Sequence, residues 1–323
     1  MKLLLCSDVR FGAVCTENLD VKLSHKWQEA RTEKLSDFMD QAAQNNAAYV
    51  ALFGNMFGRK RVSESVIDAL FTAVKEDSNI QVLAFLIADE FNRISYRNDV
   101  PENLHLICTQ SADSYTDDNL ALRIDKGVVE LQLADNDPIF IKKSPESGFI
   151  ISGLKENHTI PSFEPIGFED AENLVCGYGI IEWADKELGQ FVVTKNQKYA
   201  YRAIELKILP GDGQKEILRK INTAVKDVDI DTFLKIAIVG RSAFGLTLNG
   251  DALETQLQNR IFFVEVYDNT FMDINEEAFE NDISLRSEFV RLALQDDSLS
   301  ESERNRLISC GWNALNGKEV SAE

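Results

Sequence analysis

The chain has 323 residues, 44% of them hydrophobic and 27% charged, with a formal net charge of -19. Such a composition fits a globular protein large enough for one big or two ordinary cores, and no apolar run approaches the ~20 residues needed to span a bilayer. With 34 basic against 53 acidic residues, strong unaided binding to nucleic acid is disfavoured, because that binding needs Lys and Arg to displace counterions from phosphates.

Lys2 to Gly12 (KLLLCSDVRFG) reads as a buried strand ending in a loop that carries Asp8. Lys2 to Cys6 is too short for a signal-peptide core, and Asp8 interrupts it. Apolar residues Trp27, Ala30, Leu35, Phe38, Met39 and Ala42 recur at helical spacing, and Asn45-Asn46 ends that helix. Ala47 to Phe57 reads as a second strand ending in Gly54-Asn55. A helix follows Ser63. Ile80 to Ile87 reads as a sheet-interior strand, and Leu104 to Cys108 as a fourth. Strand, polar tip, helix, strand, polar tip is a βαβ unit. In open α/β sheets function collects at the carboxyl ends of the strands, where Asp8 and Asn55 stand.

From Leu120 the rhythm becomes that of strands, starting with a hairpin turned at Asp125-Lys126-Gly127. Pro138 to Lys142, Gly148 to Ser152, Leu174 to Ile181 and Gln190 to Thr194 continue it. Strands and helices alternate again from Tyr199 to Tyr267, predicting a small α/β domain. Ser300 to Glu303 fits a helix capping box, and the tail from Lys318 reads as frayed. Cys6, Cys15, Cys108, Cys176 and Cys310 form no CxxC pair, which points to a reducing, cytoplasmic setting. Arg59-Lys60-Arg61 is a local basic patch that reads as a solvated loop.

Ser7-Asp8-Val9-Arg10-Phe11-Gly12, then Arg31 and Glu33, then Gly54-Asn55-Met56-Phe57, resemble the opening of calcineurin-like metallophosphoesterases of the SbcD and YhaO-like DNA repair exonuclease type. That family runs strand-S-D-x-H-x-G, an Arg- and Glu-bearing helix, then strand-G-D-x-F. Phe149 to Glu156 fits the frame of its strand-G-H-x-H motif, Cys176-Gly177-Tyr178-Gly179 that of its P-G-S turn, and Asp282 to Arg291 that of its C-terminal motif. The resemblance spans roughly residues 1 to 297. It implies an α/β fold: a two-sheet αββα sandwich over 1–198, an α/β capping domain over 199–297, and a C-terminal helix and tail over 298–323. It further implies an SbcC-like or YhaN-like coiled-coil ATPase partner and a homodimer.

The chemistry departs from the frame. Two-metal phosphoesterases crowd carboxylates and imidazoles into one cleft, where Mn²⁺ or similar ions polarise phosphate and generate hydroxide. The family pattern takes at least four histidines, and this chain has three: His25, His105 and His158. Arg10 stands in a His position and Asn55 in that of a metal-bridging Asp. Asp89-Glu90 stand where an Asn-His pair belongs and read as a solvated loop. Leu154 and Glu156 stand in the last histidine positions, with His158 nearby. The metal positions to test are therefore Asp8, Asn55, Glu156 and His158, and the catalytic positions Arg10, Asp89 and Glu90. Arg10 is expected to fill the vacated cation site, paired with Asp8 or Asp89. The expectation is a degenerate phosphoesterase acting as scaffold or regulatory subunit, with no cofactor, or Mn if any metal site survives. The alternatives are an active exonuclease whose ligands include Asp89 and Glu90, and a phosphate or nucleotide binder without turnover. No phosphate loop of the G-x-x-x-x-G-K-[ST] type and no G-x-S-x-G elbow is present.

Overall fold

The structure is a computed structural model of the chain. It describes all residues except 59–61, 134–135, 145–147, 155, 185–186, 196, 244–245, 247, 274–282 and 316–323. The Arg59-Lys60-Arg61 patch, Lys155, Asp282 and the tail from Lys318 lie outside the described residues. The chain divides into two compact units, residues 1–198 and 199–323.

The first unit opens with β1 (Lys2–Ser7), α1 (Val21–Gln44), β2 (Tyr49–Phe53), α2 (Glu64–Glu76), β3 (Gln81–Leu86), α3 (Ala88–Ile94) and β4 (Leu104–Cys108). These four strands are parallel, in spatial order β1-β2-β3-β4. Next come β5 (Ser114–Thr116), β6 (Leu120–Asp125), β7 (Val128–Leu133), β8 (Ile139–Ser144), β9 (Gly148–Ser152) and β10 (His158–Thr159), an antiparallel second sheet. A short helix, α4 (Phe168–Asn173), precedes β11 (Tyr178–Ala184) and β12 (Glu187–Thr194), which return to the first sheet beside β1.

The period of two along a strand explains the layering. In β1, Leu4 and Cys6 face α1 and α2, packing with Phe38, Met39, Leu70 and Phe71. Leu3 and Leu5 face the second sheet, packing with Leu122, Leu131, Ile141 and Ile151. Both faces are covered, so the strand carries no polar alternation. The second sheet does alternate: Leu120, Leu122 and Ile124 are buried, whereas Ala121, Arg123 and Asp125 are exposed. Its outer face therefore has no helical cover among the described residues. The unit has three layers, helix–sheet–sheet, where an αββα sandwich was expected. A charged outer row removes the apolar surface that a fourth layer would need.

α1 begins at Val21, six residues before the first apolar position that the spacing marks, because Asp20 caps it by accepting from Leu23 N–H at 2.8 Å. His25 therefore lies within the helix, exposed, its Nδ1 3.3 Å from Glu29.

In the second unit β13 (Ala200–Ile208), β14 (Thr232–Ser242) and β15 (Phe263–Met272) form a parallel sheet, linked by α5 (Gln214–Ala224) and α6 (Gly250–Gln258). Leu206, Ile236 and Val264 pack with Ile217, Ile221 and Leu257 from the helices. α7 (Leu285–Leu294) and α8 (Glu301–Leu315) form a helical pair around Val290, Ala293 and Ile308. Residues 298–315 are thus packed on the preceding helix. The capping box forms: Ser300 N–H donates to Glu303 Oε2 at 2.9 Å, and Glu303 N–H to Ser300 Oγ at 3.3 Å. Among the described residues no helix is long and apolar enough to cross a membrane.

Candidate functional site at the strand tips

The carboxyl ends of β1 and β2 continue side by side beyond the strands. Asp8 N–H donates to Phe53 C=O, Arg10 N–H to Asn55 C=O, Phe11 N–H to Met56 C=O and Gly12 N–H to Phe57 C=O, all at 2.8–3.0 Å. The two tip loops are therefore one ladder. It forces unusual backbone. Asp8 and Arg10 have φ of 47° and 51°, and Gly54 has φ of 82°. A Cβ at Gly54 would stand 2.9 Å from Asp8 Oδ1 and 2.8 Å from Phe149 Cε2, so only glycine fits.

Arg10 does not pair with Asp8 or Asp89. Its Nη1 donates to Asp170 Oδ2 at 2.6 Å, and each side chain is 20% exposed. Asp170 sits on α4, and the same oxygen accepts from Ile166 N–H at 3.2 Å. The segment 160–170 lies alongside β1: Ser7 N–H donates to Pro161 C=O and Phe163 N–H to Ser7 C=O, both at 2.8 Å. An acid 160 positions along the chain, and not Asp8 or Asp89, is therefore the partner of Arg10.

Asn55 is exposed, and its side-chain oxygen accepts from Gly58 N–H, three residues on, at 2.9 Å, bracing its own loop. Glu90 was expected in a solvated loop. It lies instead in the first turn of α3, 3% exposed, its two oxygens accepting from Met56 N–H at 3.3 Å and Phe57 N–H at 3.0 Å. Burial raises its pKa above the ordinary carboxylate value, and those two N–H groups work against the rise. Asp89 is exposed on the same turn. Asp8 keeps a carboxylate at the tip, with one long hydrogen bond from Asn55 N–H at 3.4 Å.

Glu156 and His158 are not brought to Asp8. Phe149 is the β9 residue beside Gly54 and Asp8, whereas His158 pairs with Ile151, two residues or about 7 Å further along the strand. The His158 ring stacks near Phe191 at 4.9 Å, and Glu156 is exposed in the turn before it. His105 lies in β4 at the opposite end, bonded to Gln81 Oε1 at 2.7 Å.

Two buried groups hold the tip from behind. Arg31 is 1% exposed; its Nη2 donates to Val9 C=O at 2.7 Å, its Nη1 to Pro165 C=O at 3.2 Å, and Glu164 lies 3.8 Å away. The guanidinium also stands over the Trp27 ring at 4.9 Å. Burial raises the pKa of Glu164, and Arg31 opposes that rise. Asp170 and Glu164 were missed from sequence. Neither stands in a periodic pattern, and their arginine partners are more than 130 positions away.

Beside the tip, Phe11, Gln28, Thr32, Val62 and Ser63 line a cleft of about 390 Å³. A binuclear metal centre needs several oxygen and nitrogen donors turned to one point. Here the Arg10 guanidinium is paired with Asp170, the Asn55 oxygen caps its own loop, and both Glu90 oxygens are spent on backbone. Among the described residues no three His, Cys, Asp or Glu side chains are grouped to hold a metal ion. The residues present do not fit that centre. No model of a known protein family matches the chain, and no curated protein sequence is significantly similar to it.

Proposed function

We propose that this chain is a degenerate phosphoesterase of the SbcD and YhaO-like type, in which internal bonds replace the metal centre, and that it serves as a scaffold or regulatory subunit. The observation that carries this reading is the Arg10–Asp170 pair: a permanent cation, neutralised at 2.6 Å, stands where the family places a metal-binding His. Asn55 and Glu90, bound to the backbone of loop 55–58, support it in the same sense. On this reading the retained role is protein binding, with a coiled-coil ATPase of the SbcC or YhaN type as the partner that the resemblance implies. Elemental analysis and thermal melting with and without excess Mn²⁺ test it. The expected outcome is no stoichiometric metal and no change in Tm. Two bound ions per chain with a raised Tm, together with Mn²⁺-dependent phosphodiester cleavage lost in Asp8→Ala, would overturn it.

A further inference from the structure

The second unit carries a groove of its own. Both of its crossover helices start at the carboxyl end of the sheet, α5 six residues after β13 ends and α6 eight residues after β14 ends. In open α/β sheets ligands collect at that end. A groove of about 200 Å³ lies there, lined by residues of both helices. Its floor is Ile217 and Leu253, both buried, and its walls are the half-buried Leu218 and Leu248. Sites for drug-sized ligands run to about 300–1,000 Å³, so this one has room for a single large apolar side chain. The exposed rim is Gln214, Asn249 and Gln256, with the small Ala252 between the last two.

No lining residue is charged, in a chain where 27% of residues are. The acids nearby are neutralised or turned away. Glu216 of α5 pairs with Arg219, and Asp212 just before the helix pairs with Lys220. Glu254 of α6 accepts from Val266 N–H at 2.8 Å, so it faces β15, and Asp251, three residues earlier, shares that side of the helix. Lys215 is different. It lies three residues before Leu218 and so neighbours it on the helix surface. It is exposed and forms no ion pair among the described residues. The rim supplies donors. Asn249 Oδ1 accepts from Ala252 N–H at 3.0 Å, which leaves the amide nitrogen of that side chain to donate outward. The side-chain amides of Gln214 and Gln256 bond to no described residue.

From this arrangement we infer that the groove takes the carboxyl terminus of a partner chain whose last residue is large and apolar. That side chain covers Ile217 and Leu253. The terminal carboxylate accepts from the rim amides beside Lys215, the charge-assisted kind of hydrogen bond by which chain ends are captured. Charge selects this occupant. An interior stretch of peptide would bring a neutral amide to the same place and nothing to meet the cation. A docked helix satisfies its backbone within itself and would leave the rim donors without partners. The net charge of -19 repels anions from most of this surface, and a groove clear of acids is where one can approach. The inference rests on the second unit alone, so it stands or falls apart from the reading of the tip.

N-acetyl-L-leucine, the smallest mimic of such a chain end, tests the site on the full chain by NMR, against N-acetyl-L-leucinamide as the mimic of an interior segment. The acid should shift the side-chain amide signals of Gln214, Asn249 and Gln256 and saturate with a Kd on the order of 1 mM, as befits so small a ligand. The amide should bind at least about tenfold more weakly, since it lacks the charge. Ala252→Phe, at an exposed position, fills the groove and should abolish the shifts, with circular dichroism melting to show that the variant folds. Gln214→Ala, also exposed, is the second variant and should weaken the acid several-fold while leaving the amide nearly unchanged. No saturable shift with the acid, equal binding of acid and amide, or binding that survives Ala252→Phe would each overturn the inference.

Discussion

Replacing Glu90 by alanine is the sharpest test of how the tip loops are held. The carboxylate is 3% exposed and satisfies two backbone N–H groups, Met56 and Phe57, that belong to the loop joining β2 to α2. Each buried donor left without a partner costs about 1–3 kcal/mol. The loss is partly offset, because a carboxylate whose pKa burial raises is itself held at some cost. A net local destabilisation of about 2–4 kcal/mol follows, which at 1.4 kcal/mol per tenfold corresponds to roughly thirty- to several-hundred-fold faster opening. Amide hydrogen exchange reads it residue by residue. Met56 and Phe57 should exchange faster by that factor in Glu90→Ala, with Val50 and Leu52 in β2 little changed. The sign of the pH effect is fixed as well. A carboxyl raised in the folded state contributes most below its unfolded pKa and less as pH rises through its folded value. The difference between wild type and Glu90→Ala should therefore shrink from acid towards neutral pH. Unchanged protection of Met56 and Phe57 would refute the clamp.

Two other clusters give measurable consequences. Arg10→Met and Asp170→Asn should each destabilise the first unit, and a double-mutant cycle should return a coupling of about 1–2 kcal/mol for this half-buried pair; a coupling indistinguishable from zero would mean the contact holds nothing. Asp117 accepts from the hydroxyls of Tyr49 in the first sheet and Tyr115 in the second, at 2.8–2.9 Å, and ties the two sheets together. Burial and the bond to Asp117 push Tyr115 up to about 12, and Tyr49 is raised by the same causes. Their contribution is present below the ordinary tyrosine value of 10.0 and is lost as pH rises through about 12. Ultraviolet titration, with each assigned by its Phe variant, should show Tyr49 and Tyr115 ionising late in the wild type. In Asp117→Asn both should move down, and if they do not the bond is not a cause.

Much of the first unit was legible because doubly buried strands leave a strong mark. Gln81–Leu86 was legible to within a residue at each end, since an apolar run of that length between two covered faces admits few alternatives, and the edge strand Leu104–Cys108 was bounded as it stands by Pro101 before it. Helix α4 and strand β10 were not legible: six and two residues are too short to show a period. The ladder brings the backbone of Asp8, Arg10 and Asn55 together at the strand tips, as their place after β1 and β2 leads one to expect. Glu156 and His158 lie further along the β9–β10 hairpin, because a motif frame says nothing about how far a hairpin runs before it turns back. The burial of Glu90 was not legible, because two acids after a strand look like a solvated turn. Glu is so rarely buried that local pattern carries no hint of donors supplied by a loop more than thirty residues away.

The backbone at the tip explains how such a site can keep its shape without the ligands that the resemblance implies. Residues other than glycine held at positive φ each cost about 1–3 kcal/mol and persist only where their surroundings over-determine them. Asp8 and Arg10 are both held so. What over-determines them is visible. The ladder to residues 53–57 fixes one side of the loop, and Arg31 fixes the carbonyl of Val9 between them. The Arg10–Asp170 pair then anchors the second strained residue to α4. In a metal enzyme the ions themselves would share in holding such a loop. The ties named here come from side chains and backbone, and the strain at Arg10 balances against a guanidinium that is half-buried and paired with Asp170. The geometry of the tip can thus outlast the chemistry it resembles. That persistence is what the proposed scaffold reading requires, and the Mn²⁺ melting experiment asks whether an ion still adds to it.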